Sequence, residues 1–117
     1  CRPDFAILIY PVISMGPLAH TGSRFNLLGD KPTAEQIENY STENQVTKET
    51  PPTFLVTTSD DPVDCRNSLI FAAACKEKGV PASLHLFAEG GHGYGMHGPG
   101  DVSQWPSLLE KWLIEKK

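Results

Sequence analysis

The chain has 117 residues with a formal net charge of −4, and 39% of its residues are apolar, so it is one domain at most. This composition excludes intrinsic disorder, which combines low hydrophobicity with high net charge, and without a basic excess we expect no nucleic-acid partner. The longest apolar run, Phe5–Ile13, is far shorter than the roughly 20 residues that span a bilayer, so we expect no membrane partner either.

The first predicted element is a strand over Phe5–Tyr10, a continuous apolar run that Pro11 ends. Such runs are typical of strands that are buried on both faces of a parallel sheet. The segment Ser14–Pro32 is rich in Gly, Pro, Ser and Asn, and we expect it to be irregular. Thr33 and Gln36 then have the spacing of a capping box, which predicts a short helix beginning after Thr33.

The second half of the chain alternates strands with helices. The apolar and β-branched runs Thr53–Ser59 and Ser83–Phe87 predict two further strands. A helix is predicted from about Cys65 to Lys78, where Gly79 supplies a left-handed cap, and another from about Gln104 to Glu115, with one apolar stripe. This order predicts an α/β fold with a parallel sheet, and a sheet of three strands is thin enough to be part of a larger domain.

Two polar clusters follow predicted strands. Asp60 and Asp61 come directly after the second strand, and the third is followed by Gly90, Gly91 and His92. Because sites in parallel sheets form beyond the carboxyl ends of the strands, we expect these clusters to lie close together. A carboxylate that orients an imidazole is an arrangement for proton transfer.

The sequence offers two uses for each aspartate. Asp61 precedes Pro62 and is well placed to cap a turn or a helix, which would leave Asp60 to reach the His92 loop. The alternative is that both aspartates only cap turns or face solvent, and that His92 only hydrogen-bonds backbone. Composition and spacing leave this choice open.

No metal, organic cofactor or disulfide is predicted. His92 and His97 share a loop, but their spacing matches no zinc pattern and no third ligand stands out. Ten residues along one helix would separate Cys65 from Cys75 by about 15 Å, too far for a disulfide. We interpret both, together with Cys1, as unpaired thiols.

The sequence lacks a visible nucleophile for this pair. An aspartate followed by a histidine is the second half of the Ser…Asp…His order of α/β-hydrolases, whose serine lies in a G-x-S-x-G turn. No serine of this chain has that context. We therefore expect the nucleophile to precede Cys1 and residues 1–117 to be half of a domain.

Three stretches resemble the C-terminal half of α/β-hydrolase-fold serine esterases, above all the acetylxylan-esterase-like carbohydrate esterases: Pro51–Val63, Lys78–Phe87 and Gly90–Met96. The dienelactone-hydrolase and prolyl-oligopeptidase groups are more distant. The resemblance implies a mostly parallel sheet with covering helices over residues 1–117. The chain departs from the pattern at Val63-Asp-Cys-Arg66, where relatives often have a Val-Pro-Val-Glu-like stretch.

The resemblance implies Asp60 as the acid and His92 as the base of a catalytic triad that needs no cofactor. The function implied is a serine-dependent carboxylic-ester hydrolase that deacetylates a carbohydrate or a similar small-molecule ester. Residues 1–117 alone would then be inactive. Two alternatives remain: a peptidase of the prolyl-oligopeptidase type, and a non-catalytic module that self-associates through an exposed sheet edge beside Phe5–Tyr10.

Overall fold

The computed structural model describes residues 2–116 and contains the predicted parallel sheet. Its strands are β1 (Ala6–Ile9), β2 (Thr53–Thr58) and β3 (Ala82–Phe87), arranged in the order β1-β2-β3. Every residue of β2 is buried, whereas β1 and β3 form the two edges of the described sheet. The α/β fold class predicted from the sequence is confirmed.

Helices and short 3-10 turns connect and cover the strands. The predicted capping box is present, because Thr33 and Gln36 exchange side-chain and backbone hydrogen bonds. Within residues 2–116 no helix has both the length and the apolar character needed to cross a membrane. The helices are α1 (Thr21–Leu28), α2 (Ala34–Tyr40), α3 (Arg66–Glu77) and α4 (Trp105–Glu115), with 3-10 turns at Thr42–Gln45 and Gly100–Gln104.

Helix α1 lies inside Ser14–Pro32, so the prediction that this whole segment is irregular is wrong. The side chain of His20 caps the helix by accepting from the backbone N–H of Ser23, and Gly29 ends it with a positive φ of 81°. No residue of α1 is buried. A helix without a buried stripe leaves no apolar periodicity in the sequence, which is why the pattern missed it.

The two faces of the sheet carry separate apolar layers, since successive strand residues point to opposite sides. Leu55 packs on one face against Phe71 and Cys75 of α3. Phe54 and Val56 pack on the other face against α4. The predicted apolar stripe of α4 is confirmed, because all its members belong to or pack against this second layer: Trp105, Leu108, Leu109, Trp112 and Leu113.

A buried asparagine joins the loop after β1 to the start of α3. The side-chain oxygen of Asn67 accepts from the backbone N–H groups of Ile13 (3.1 Å) and Ser14 (2.8 Å). Its amide nitrogen donates to the carbonyl oxygens of Leu18 (3.0 Å) and Asp64 (2.9 Å). These four bonds fix the two loops relative to each other.

Cys65 and Cys75 are unpaired thiols, as predicted. Cys75 is fully buried beneath the sheet, and burial raises the pKa of its thiol. Cys1 lies outside the described residues.

Candidate active site

The segments that follow the three strands meet at the carboxyl edge of the sheet. Tyr10 comes directly after β1, Asp60 and Asp61 follow β2, and the glycine-rich loop carrying Gly91 and His92 follows β3. The aspartates reach the glycine-rich loop by hydrogen bonds, and Tyr10 contacts His92 through its ring. The predicted convergence of acidic and histidine clusters is therefore present.

His92 is held by a buried carboxylate. Its Nδ1 atom lies 2.9 Å from Oδ2 of Asp61, whose side chain is completely enclosed, while the His92 side chain is 40% exposed. The other carboxylate oxygen of Asp61 accepts from the backbone N–H of Val63 at 2.7 Å. Toward an ionised carboxylate, which can only accept, Nδ1 is the nitrogen that carries the hydrogen, and in the neutral form of the ring this tautomer leaves the lone pair on Nε2.

The expectation that Asp60 contacts His92 is corrected by the structure, in which the carboxylate that contacts the imidazole belongs to Asp61. Asp60 instead binds the backbone of the glycine-rich loop, accepting from the N–H groups of Gly91 (2.8 Å) and Gly90 (3.2 Å). These bonds, that from Gly91 foremost, lower the pKa of the Asp60 carboxyl. Asp60 is exposed.

Asp61 caps a turn, as its place before Pro62 indicates, but the expectation that this would leave Asp60 to reach the His92 loop assumes that capping occupies Asp61 fully. Helix α3 begins at Arg66, close to the predicted start at about Cys65, and the cap that Asp61 provides is therefore that of a short turn before the helix. Asp61 therefore satisfies a single turn N–H through one oxygen, and its second oxygen remains for His92.

The backbone of the glycine-rich loop presses closely on the end of the sheet. Thr58 donates its hydroxyl to the carbonyl oxygen of Gly91 at 2.7 Å. At Gly90, φ is 148°, and a Cβ there would lie 3.0 Å from methyl carbons of both Thr58 and Val102. Only glycine fits this approach without displacing a neighbour, and the approach sets where His92 stands.

One tyrosine ring lies against the imidazole and a second packs on the first, and the sequence motifs identify neither. The Tyr10 ring lies 4.4 Å from that of His92 between centroids, and 4.9 Å from that of Tyr94. The Tyr94 hydroxyl is buried with no hydrogen-bond partner among residues 2–116, and burial raises its pKa to about 12, with smaller contributions from Asp61 and Tyr10. The available signal for Tyr10 is its place at a strand end, just before Pro11.

The arrangement is suited to proton transfer. One imidazole nitrogen is fixed by a buried carboxylate, and the partly exposed ring leaves the other to exchange a proton with a reactant. Over the part of the chain that the structure describes, no group of three or more His, Cys, Asp or Glu side chains is placed to hold a metal ion.

A parallel sheet with an aspartate–histidine pair beyond its carboxyl edge defines the chain as part of an α/β-hydrolase. It belongs to the prolyl oligopeptidase family, whose model matches residues 18–116.

Comparison with known proteins confirms the resemblance to acetylxylan-esterase-like hydrolases. The chain is 41% identical over 105 residues to endo-1,4-beta-xylanase B of Butyrivibrio fibrisolvens, covering 89% of the chain and 16% of that protein. It is 38% identical over 101 residues to the acetylxylan esterase of Xylanibacter ruminicola, covering 80% of the chain and 21% of that protein. The chain therefore matches about a fifth or less of these relatives' length.

A solved structure gives the same result for the fold. The acetyl ester-xyloside bifunctional hydrolase of Caldicellulosiruptor lactoaceticus is 47% identical and superimposes with a TM-score of 0.95. The match covers 98% of this chain and 43% of that enzyme.

Proposed function

We propose that this chain supplies the acid–base residues of a serine-type carboxylic-ester hydrolase that removes acetyl groups from a carbohydrate. The observation that carries the proposal is the hydrogen bond from His92 to the buried carboxylate of Asp61. Two relatives described above are named for acetyl-ester hydrolysis, the acetylxylan esterase and the acetyl ester-xyloside hydrolase, which supports the choice of ester.

In the first half-reaction, His92 acts as a base toward a serine hydroxyl, which we propose comes from a segment outside residues 1–117. Nε2 takes the hydroxyl proton while the serine oxygen bonds to the ester carbonyl carbon. The tetrahedral intermediate then breaks its bond to the sugar oxygen, and that oxygen takes the proton from Nε2. The products are the free sugar hydroxyl and an acetyl-enzyme.

In the second half-reaction, water replaces the sugar. Nε2 of His92 takes a proton from the water as its oxygen attacks the acetyl carbonyl, and returns that proton to the serine oxygen as acetate leaves. Throughout, Asp61 holds Nδ1–H and stabilises the imidazolium without itself taking a proton. Asp60 keeps Gly90 and Gly91 in place, so that Nδ1 of His92 stays within hydrogen-bond distance of the Asp61 carboxylate.

The proposal is tested by replacing the base in the full-length protein. His92→Ala should lower kcat on an acetylated xylo-oligosaccharide by roughly 10³-fold or more, because general acid–base catalysis in both half-reactions is lost. His97→Ala, an exposed histidine of the same loop, is the matched control and should retain wild-type turnover. Near-wild-type activity of His92→Ala would refute the assignment.

Peptide hydrolysis is the second candidate, and the family's name favours it. The same pair would serve a serine that attacks an amide carbonyl, with the leaving amine protonated by His92. Turnover of an acetyl ester and of a prolyl p-nitroanilide by the same preparation separates the two. If the protein hydrolyses the prolyl p-nitroanilide and not the acetyl ester, peptide hydrolysis replaces ester hydrolysis as the proposed function.

A further inference from the structure

We propose that Tyr10 is a positioning residue that holds the His92 imidazole in the orientation in which Nδ1 meets Asp61. This role rests on the proposed use of His92 as a base. Tyr10 belongs to a different strand end from both members of the pair, and its ring lies against the imidazole at a centroid distance of 4.4 Å and an interplanar angle of 61°.

The imidazole needs support beyond its hydrogen bond. Glycines stand on both sides of His92, and Gly91 and Gly93 have positive φ values of 70° and 76°, with open space for 4 Å around the point where a Cβ would stand. The ring itself is 40% exposed. A single hydrogen bond from Nδ1 fixes one atom and lets the ring turn about it, which would move Nε2. A second contact, from the Tyr10 ring, restricts that turn.

Tyr10 is in turn held from the same loop that carries His92. Tyr94 packs against it with the centroids 4.9 Å apart and the planes 79° apart. The Tyr10 ring therefore contacts the rings of residues 92 and 94 together. A phenol is neutral near pH 7, and burial raises the pKa of Tyr94 further, to about 12, so this support adds no charge beside the pair that Asp61 and His92 form.

The backbone of Tyr10 has a conformation that disfavours an aromatic residue. Its φ is 39°, the single positive value at a non-glycine residue among those described, and Asn or Gly adopts such a conformation more readily than an aromatic residue does. Stability of the backbone alone would favour Asn at this site. The aromatic ring is instead accounted for by its contacts with His92 and Tyr94.

The kinetic test uses three variants of the full-length protein. Tyr10→Asn removes the ring at a backbone position that suits Asn, and should lower kcat by roughly 10- to 100-fold with KM changed by about twofold or less, because a misplaced base slows chemistry more than binding. Tyr10→Phe keeps the ring and should retain wild-type kcat. Tyr40→Asn, on the exposed face of α2, is the matched control and should also retain it.

A signal independent of turnover is the downfield proton NMR resonance of His92 Nδ1–H. It should broaden or vanish in folded Tyr10→Asn and persist in Tyr10→Phe. This outcome supports the positioning role even if His92→Ala shows that another group catalyses the reaction. A wild-type resonance together with wild-type kcat in Tyr10→Asn would overturn it.

Should Tyr10→Asn fail to fold, Tyr94→Leu decides the matter by removing the ring that supports Tyr10. We expect a weaker loss of the same resonance and a smaller fall in kcat. An unchanged resonance in folded Tyr94→Leu would overturn the positioning role.

Discussion

The two aspartates of the turn after β2 are adjacent in the chain but differ sharply in burial and in hydrogen-bond partner. Asp61 is enclosed and binds a side chain, the imidazole of His92. Asp60 is exposed and binds backbone, the N–H groups of Gly90 and Gly91. A buried carboxylate must have its oxygens satisfied and gains most from a partner that can become cationic.

Two adjacent carboxylates can thus divide their work. One lies against the imidazole that we propose transfers protons, and the other binds the backbone of the loop that carries this imidazole. Substitutions of Asp61 should therefore act on catalysis. Substitutions of Asp60, or of the glycines that it binds, should act through the position and stability of the loop.

Among substitutions that distinguish the two aspartates, Asp61→Asn should have the strongest effect. It should lower kcat on an acetyl ester by about 10²- to 10⁴-fold, because an amide neither stabilises the imidazolium nor fixes the tautomer with Nδ1–H. Asp60→Asn is the matched variant and should lower kcat by about tenfold or less. Steady-state kinetics of both full-length variants provide the measurement. A larger fall in kcat for Asp60→Asn than for Asp61→Asn would contradict the roles that we assign to the two aspartates.

Asn67→Ala should have the second largest effect, which is on the stability of the fold near Asp61. It leaves the N–H groups of Ile13 and Ser14 and the carbonyl oxygen of Leu18 without the partner that the Asn67 side chain provides, so we expect the free energy of unfolding to fall by about 3 to 5 kcal/mol. Urea denaturation measures this. Asn44→Ala, which loses an exposed bond to Glu38, should change it by about 0.5 kcal/mol or less. Equal losses in the two variants would contradict the importance of the buried network.

Gly90→Ala tests the stability of the loop that Asp60 binds. Its Cβ would meet Thr58 and Val102 at 3.0 Å in addition to the backbone strain, and we expect a loss of about 2 to 3 kcal/mol in the free energy of unfolding. Gly93→Ala shares a positive φ but meets nothing within 4 Å. It should therefore lose less, about 1 kcal/mol. Calorimetric melting of the two variants measures both losses. A larger loss in Gly93→Ala than in Gly90→Ala would refute this prediction.

Acid sensitivity caused by Asp60 should be the weakest of these effects. Its folded-state pKa lies below the ordinary 3.8, so its contribution to stability is present above pH 3.8 and is lost as the pH falls through the lower, folded value. Asp60→Asn should flatten the fall of the melting temperature below pH 3.8. Asp30→Asn, another exposed aspartate, serves as control. Parallel curves for wild type and Asp60→Asn would contradict this origin of acid sensitivity.

The parts of the fold that bury apolar side chains were predictable, and those held by polar contacts were less so. The run that forms β2 is continuous because both of its faces are covered, and the stripe on α4 is periodic because one face of that helix packs on the core. Helix α1 buries nothing and rests on the His20 cap and Gly29, so no periodicity marks it.

The site shows the same limit at the level of single residues. His92 and the acidic pair were recognisable because polar residues follow strands at the carboxyl edge of a parallel sheet. Which aspartate faces the ring was not predictable, because capping the turn occupies only one of the two Asp61 oxygens and leaves the other for His92. Tyr10 follows β1, distant in sequence, and only the assembled sheet brings it to His92.

Whether Asp61 is the carboxylate partner of His92 is decided by the Nδ1–H proton resonance of His92 in the two aspartate variants. We expect the resonance in wild type and in Asp60→Asn, and its loss in Asp61→Asn, with both variants folded. Its loss in Asp60→Asn and retention in Asp61→Asn would contradict this pairing.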